Sequence, residues 1–140
     1  FFIDQLQMAE NMEIDETQID ESLYSRQLFV MGHDSMKRMM KCNVLIVGLS
    51  GLGVEIAKNV ILAGVKSVTL HDNKLVSNLD LASNFYASPE DVDVTSRAAA
   101  SKKKLFELNP YVTVSVYDGT LDEEFLSKFE VVVLTDTCLD

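Results

Sequence analysis

Apolar and polar positions along the chain fall into blocks that switch between a strand-like and a helix-like period. From Asn43 to Val47 a run with an apolar majority meets a glycine-rich turn at Gly48 to Gly53, and Leu52, Ile56, Val60 and Ala63 then recur at helical spacing as far as Gly64. A second β-rich run, Val68 to Leu70, follows, and Asp72 stands at its carboxyl end. Strand, turn, helix and strand in this order predict a right-handed βαβ crossover. Its turn presents the free N–H groups of a helix N-terminus where a phosphate could bind.

The pattern extends on both sides. From Ile19, IDESLYSRQLFVMG carries Leu23, Tyr24, Leu28, Phe29 and Val30 up to Gly32, which ends that element. HDSMKRMMK then puts Met36, Met39 and Met40 on one face of a short amphipathic helix. Past Asp72 a polar stretch broken by Pro89 is too long for a plain turn, and is expected to be functional or to cover the sheet edge. A helix from about Thr95 to Leu108, a strand from Val112 to Val116, a turn at Asp118-Gly119 and a short helix from Leu121 to Lys128 follow. VVVLTD then reads as a buried strand ending in Asp136. Strands alternating with helices predict an α/β class: a Rossmann-like doubly wound sheet, mainly parallel, ordered 3-2-1-4.

Charge changes this picture at one end. The net charge of -10 over 140 residues is concentrated in residues 1–22, which hold seven acids and no base and leave 15 acids against 12 bases elsewhere. An acidic, mobile lead-in is expected over residues 1–20, with 21–140 as the folded part. Phosphate backbones repel such a balance and no basic stripe offsets it, so nucleic-acid binding is not expected. Lys102, Lys103 and Lys104 read as the solvated face of a helix. No apolar run approaches the roughly 20 residues that span a bilayer, and no export signal opens the chain, so no membrane association is expected. Cys42 and Cys138 lie far apart without metal-ligand spacing, which fits a reducing, intracellular setting and structural roles. His33 and His71 read as histidines hydrogen-bonded in place. The chain stops soon after its last strand where doubly wound domains continue, so an excerpt of a larger domain is expected.

The glycines of the turn separate fold from ligand. A dinucleotide fingerprint places Gly at its first, third and sixth positions, the third because pyrophosphate approaches the backbone there. Those positions hold Gly48, Ser50 and Gly53. The glycines that tighten the turn are present, and a serine side chain occupies the space a phosphate oxygen would need.

Several separated strings together resemble one family. LYSRQL (Leu23 to Leu28), GHDSMKRM (Gly32 to Met39), the stretch from Asn43 to Asp72 and ELNPYV (Glu107 to Val112) are similar, in order and spacing, to ubiquitin-activating enzymes, and within them to the N-terminal, inactive adenylation half. The match covers about residues 19–137. The resemblance implies a truncated half of a ThiF/MoeB-like adenylation fold, paired with an active half about a pseudo-twofold axis. It implies ATP and Mg²⁺ in that other half, adenylation of the ubiquitin C-terminus there, and transfer to a thioester cysteine outside this chain, which neither Cys42 nor Cys138 matches. Its implied partners are the active half, ubiquitin and, through other domains, ubiquitin-conjugating enzymes, in the cytoplasm and nucleus.

Matched position by position, the active half's signature is broken in this sequence. Its first Asp falls on Asp72 but the second falls on Lys74; its two Asn fall on Asp80 and Ala82, its Arg on Ser83, its Gln on Asn84, and its helix Lys on Arg97. Mg²⁺ requires oxygen ligands, and Lys74 places a cation where one would be. The resemblance therefore implies no functional metal or nucleotide site in this half, with Gly48, Gly51, Gly53 and Asp72 as its vestige. Arg26, with Gln27, matches the family's arginine that reaches into the partner half and contacts ATP phosphates. Two alternatives stand beside this: a small regulatory subunit of an activator for another ubiquitin-like modifier, and an NAD-binding oxidoreductase domain, which the βαβ unit and Asp72 favour and Ser50 opposes.

Overall fold

A computed structural model describes residues 19–136. The expected lead-in falls, up to residue 18, outside the described residues, and so does Cys138. The described residues divide into two compact units, one up to Lys37 and one from Arg38.

In the first unit, helix α1 (Glu21–Met31) begins at Asp20, whose carboxylate accepts from the N–H groups of Ser22 and Leu23 at 3.0 and 3.1 Å and satisfies two orphan donors of the first turn. Gly32, at φ 77°, ends it. Tyr24 is buried, while Arg26, Phe29 and Val30, three and four positions apart, lie exposed on one stripe of the helix. Helix α2 (His33–Met39) follows and buries Met36. His33 Nε2 lies 3.3 Å from Glu21 Oε1, so this histidine is held by a neighbour as its sequence context predicts.

The second unit is built on a four-stranded parallel sheet: β1 (Asn43–Val47), β2 (Ser67–His71), β3 (Thr113–Val116) and β4 (Val131–Leu134), in the order β3-β2-β1-β4. This is the predicted 3-2-1-4 arrangement. Helix α3 (Gly51–Ala63) connects β1 to β2 and α4 (Arg97–Phe106) precedes β3; α5 (Glu123–Leu126) is a single turn before β4. The core joins Val44 and Ile46 of β1, Val68 and Leu70 of β2, Val54, Ala57 and Ile61 of α3, and Ala98 and Leu105 of α4. Lys102, Lys103 and Lys104 face solvent on α4.

The helical spacing of Leu52, Ile56, Val60 and Ala63 is met by α3, whose buried face is Gly53, Val54, Ala57 and Ile61; Ile56, Val60 and Ala63 are half-buried and Leu52 is 63% exposed. A helix apolar nearly all round gives more than one possible stripe, and the close seat of Gly53 beneath the turn selects this one. Two expectations need correction. Helix α4 is shorter at both ends than 95–108; at its start Ser96 caps it by accepting from Ala99 N–H. Strand β4 is not buried: Val131, Val132 and Leu134 are exposed, because among the described residues only β1 pairs with it.

Candidate nucleotide-type cleft at the strand ends

The carboxyl ends of β1, β2 and β4 meet around the glycine-rich turn. Gly48 takes φ 92°, a conformation side chains disfavour, and donates its N–H to His71 O. Thr135 Oγ1 donates to Val47 O or Gly48 O, 3.1 and 2.9 Å away, tying the end of β4 to the turn. A β-carbon on Gly51 would lie 2.7 Å from Ser83 Cβ. The glycines of the turn are thus closed on by the chain's own atoms: Thr135 and Asp136 at Gly48, Ser83 at Gly51, and the Gly48 carbonyl at Gly53.

Beside the turn is an open cavity of about 470 Å³, lined among others by Gly48, His71, Asp72, Lys74, Leu121 and Asp136. That volume is within the range of small-molecule sites. Its place outside the carboxyl ends of parallel strands is where doubly wound sheets bind ligands. His71 is fixed at its wall by a contact of 2.9 Å between Nδ1 and Tyr117 O.

Asp72 is 6% exposed, and both its oxygens are engaged within the chain. Oδ2 accepts from Leu49 N–H at 2.8 Å, and Oδ1 accepts from Lys74 N–H at 3.0 Å, closing a turn two residues on. Asp80, 4% exposed, begins a 3₁₀ turn (Asp80–Ala82), and its Oδ2 accepts from both the N–H and the hydroxyl of Ser77 at 2.8 and 2.6 Å. Ser50, at the N-cap of α3, gives its helix no side-chain cap and instead donates its hydroxyl to Asp136 Oδ1 at 2.9 Å.

One cation joins these acids. The Arg97 side chain, 16% exposed, places NH1 3.5 Å from Asp72 Oδ2 and 3.2 Å from Asp136 Oδ2, and NH2 3.1 Å from Asp80 Oδ1. Its Nε is buried without a hydrogen-bond partner among the described residues. Burial works against charge on both partners, yet the ion pairs prevail. Asp80 is desolvated, but bonds from Ser77 and the Arg97 guanidinium hold its carboxyl below the usual range; burial likewise opposes the Arg97 charge, and Asp80, Asp72 and Asp136 more than restore it. Three carboxylates against one guanidinium leave the cleft negative even with Lys74 at its rim.

Of the residues singled out in the sequence, Gly48, Gly51, Gly53 and Asp72 do come together here. Arg26 belongs to the first unit; it is exposed on α1 and forms no ion pair among the described residues. The sequence reading did not find the convergence of Asp80, Arg97 and Asp136, which lie 17 and 39 positions apart. One signal was available: Arg97 is one of only three arginines in the chain, and it follows a segment rich in acids.

Residues 24–140 match the model of the ThiF family. The chain is 57% identical over 125 residues to the ubiquitin-like modifier-activating enzyme 1 of Homo sapiens, covering 89% of this chain and 12% of that protein. It is 51% identical over 130 residues to the protein of the same name in Dictyostelium discoideum (92% and 13%), and 54% over 135 residues to the ubiquitin-activating enzyme E1 1 of Schizosaccharomyces pombe (94% and 13%). It thus spans about an eighth of the length of these relatives. Among solved structures, the E. coli tRNA N6-threonylcarbamoyladenosine dehydratase TcdA in complex with ATP superposes with a TM-score of 0.71 at 16% identity, over 85% of this chain and 51% of that one. E. coli MccB with succinimide gives 0.68 at 22% identity, over 86% and 39%. These two likenesses establish a shared fold.

Proposed function

This chain belongs to the ThiF family, and from that premise we propose that it forms part of a ubiquitin-activating enzyme, as the catalytically degenerate half of its adenylation module. In this reading the active half binds ATP and Mg²⁺ and adenylates the ubiquitin C-terminus. The present half supports the pseudodimer and lends it Arg26. The enzyme works in the cytoplasm and nucleus, and hands ubiquitin on to conjugating enzymes through domains outside this chain.

The observation that carries the degenerate reading is the state of Asp72. A carboxylate that holds a ribose needs acceptor capacity turned to the cleft; each oxygen of this one already accepts a backbone N–H and Arg97 stands 3.5 Å from Oδ2, so little of its roughly four-site capacity is left for two ribose hydroxyls. The surroundings fit a magnesium nucleotide no better. Lys74 stands two residues on, the Ser50 hydroxyl is committed to Asp136, and the excess of carboxylates repels a polyphosphate. Arg26 supports the second part of the reading. An exposed guanidinium with no acid paired to it among the described residues is available to an anion elsewhere, and charge developing on phosphates is what such a group stabilises.

Calorimetric titration of the 140-residue chain with Mg-ATP tests the degenerate half directly. No binding tighter than millimolar is expected, and a micromolar site would overturn it.

A further inference from the structure

The Arg97 cluster has a property that an ordinary surface ion pair lacks: its members come from four separate segments. Asp72 ends β2, Asp80 sits in the long connection after it, Asp136 follows β4, and Arg97 opens α4. The connection between Asn73 and Ser96 contains two 3₁₀ turns, a pair of isolated bridges (Leu75 to Ser96, Val76 to Val92) and few buried apolar side chains. Leu75, Leu79, Phe85 and Val94 are exposed along it, so hydrophobic burial contributes little to its order. Its ends are joined by the Arg97 N–H, which donates to Lys74 O at 2.9 Å, and by the guanidinium itself.

We propose that Arg97 acts as the resident ligand of the cleft: an internal guanidinium that gathers the acids at the ends of β2 and β4 and in the 73–96 connection, and holds those segments together as a bound molecule would. The role rests on the reading that this half handles no nucleotide, since the guanidinium lies against the acid a ribose would use. A planar, forked cation suits the task. It reaches three carboxylates at once in different directions, which an ammonium on a flexible stem does not do with the same geometry. Removing it leaves Asp72 and Asp80 buried as uncompensated charges, so the segments that carry them should separate.

The test is hydrogen exchange on the full 140-residue chain and its Arg97→Ala variant, with millimolar methylguanidinium chloride or methylammonium chloride added at equal ionic strength. Amides of residues 74–96 in the variant should exchange at least about tenfold faster, while those of β1 and α3 change little. Methylguanidinium should restore the protection, and methylammonium should not. Unchanged exchange in 74–96, or equal restoration by both salts, would overturn the proposal. Should the alanine variant not fold, Arg97→Lys takes its place, since it keeps the charge and loses the fork; protection equal to that of the parent chain would again overturn it. A Mg-ATP titration of the parent chain runs alongside. A tight nucleotide site there would defeat the degenerate reading, whereas the exchange result alone decides the role of Arg97.

Discussion

Gly53 lies so close beneath Gly48 that a β-carbon on it would stand 1.9 Å from the Gly48 carbonyl oxygen. The obstacle is backbone, so no side chain can swing aside. Gly53→Ala should therefore destabilise the chain by about 1–3 kcal/mol or more through forced displacement of the turn. Urea unfolding monitored by circular dichroism, without nucleotide, measures it. An unchanged midpoint would mean that the turn yields freely.

Asn84 should be similarly intolerant for a polar reason. It is 1% exposed; its amide group lies 3.2 Å from Leu49 O and 3.1 Å from Ser101 Oγ, and its carbonyl accepts from the N–H groups of Tyr86 and Ala87 at 2.9 and 3.3 Å. Asn84→Ala leaves buried partners unsatisfied and should cost about 2–3 kcal/mol in the same assay. Asn84→Asp, which keeps the acceptor and loses both donors, should not restore it.

Acid should loosen the cleft. The folded-state carboxyl of Asp80 lies below its ordinary value, so its contribution to stability is complete above the unfolded value of about 3.9 and is lost as pH falls through the lower, folded one. Stability measured from pH 7 down to about 2 should drop more steeply for the parent chain than for Asp80→Asn, which has no proton to gain there. Parallel curves would show that Asp80 is not the group responsible.

Arg26→Ala, placed in the complete enzyme, should lower ATP-pyrophosphate exchange by on the order of 10²-fold while its melting temperature stays unchanged. The side chain is exposed on α1 and bonds to nothing that folding needs among the described residues. An unchanged exchange rate would return Arg26 to the ordinary surface of the helix.

The βαβ unit, the strand order and the family were all legible in the sequence, because they depend on local periodicity, on glycines at fixed spacing and on crossover handedness. What sequence alone could not supply were features set by distant partners. Asp80 stands where the family's active half carries an Asn, and only the fold brings it to 3.1 Å from Arg97. Which stripe of α3 faces the core is likewise not set by periodicity alone, because Leu52 and Val54 are both apolar and packing beneath the turn decides between them. VVVL has the composition of an interior strand, but composition does not report whether a neighbour stands on its far side.

That strand has a practical consequence. The outer row of amide and carbonyl groups on Val131–Leu134 finds no pairing among the described residues, and three of its four side chains present bare hydrocarbon to water. Handled alone and concentrated, the chain offers any passing extended peptide a template for zipping on. Its copies should therefore cling to one another unless further polypeptide shields that flank or a charge is engineered into it.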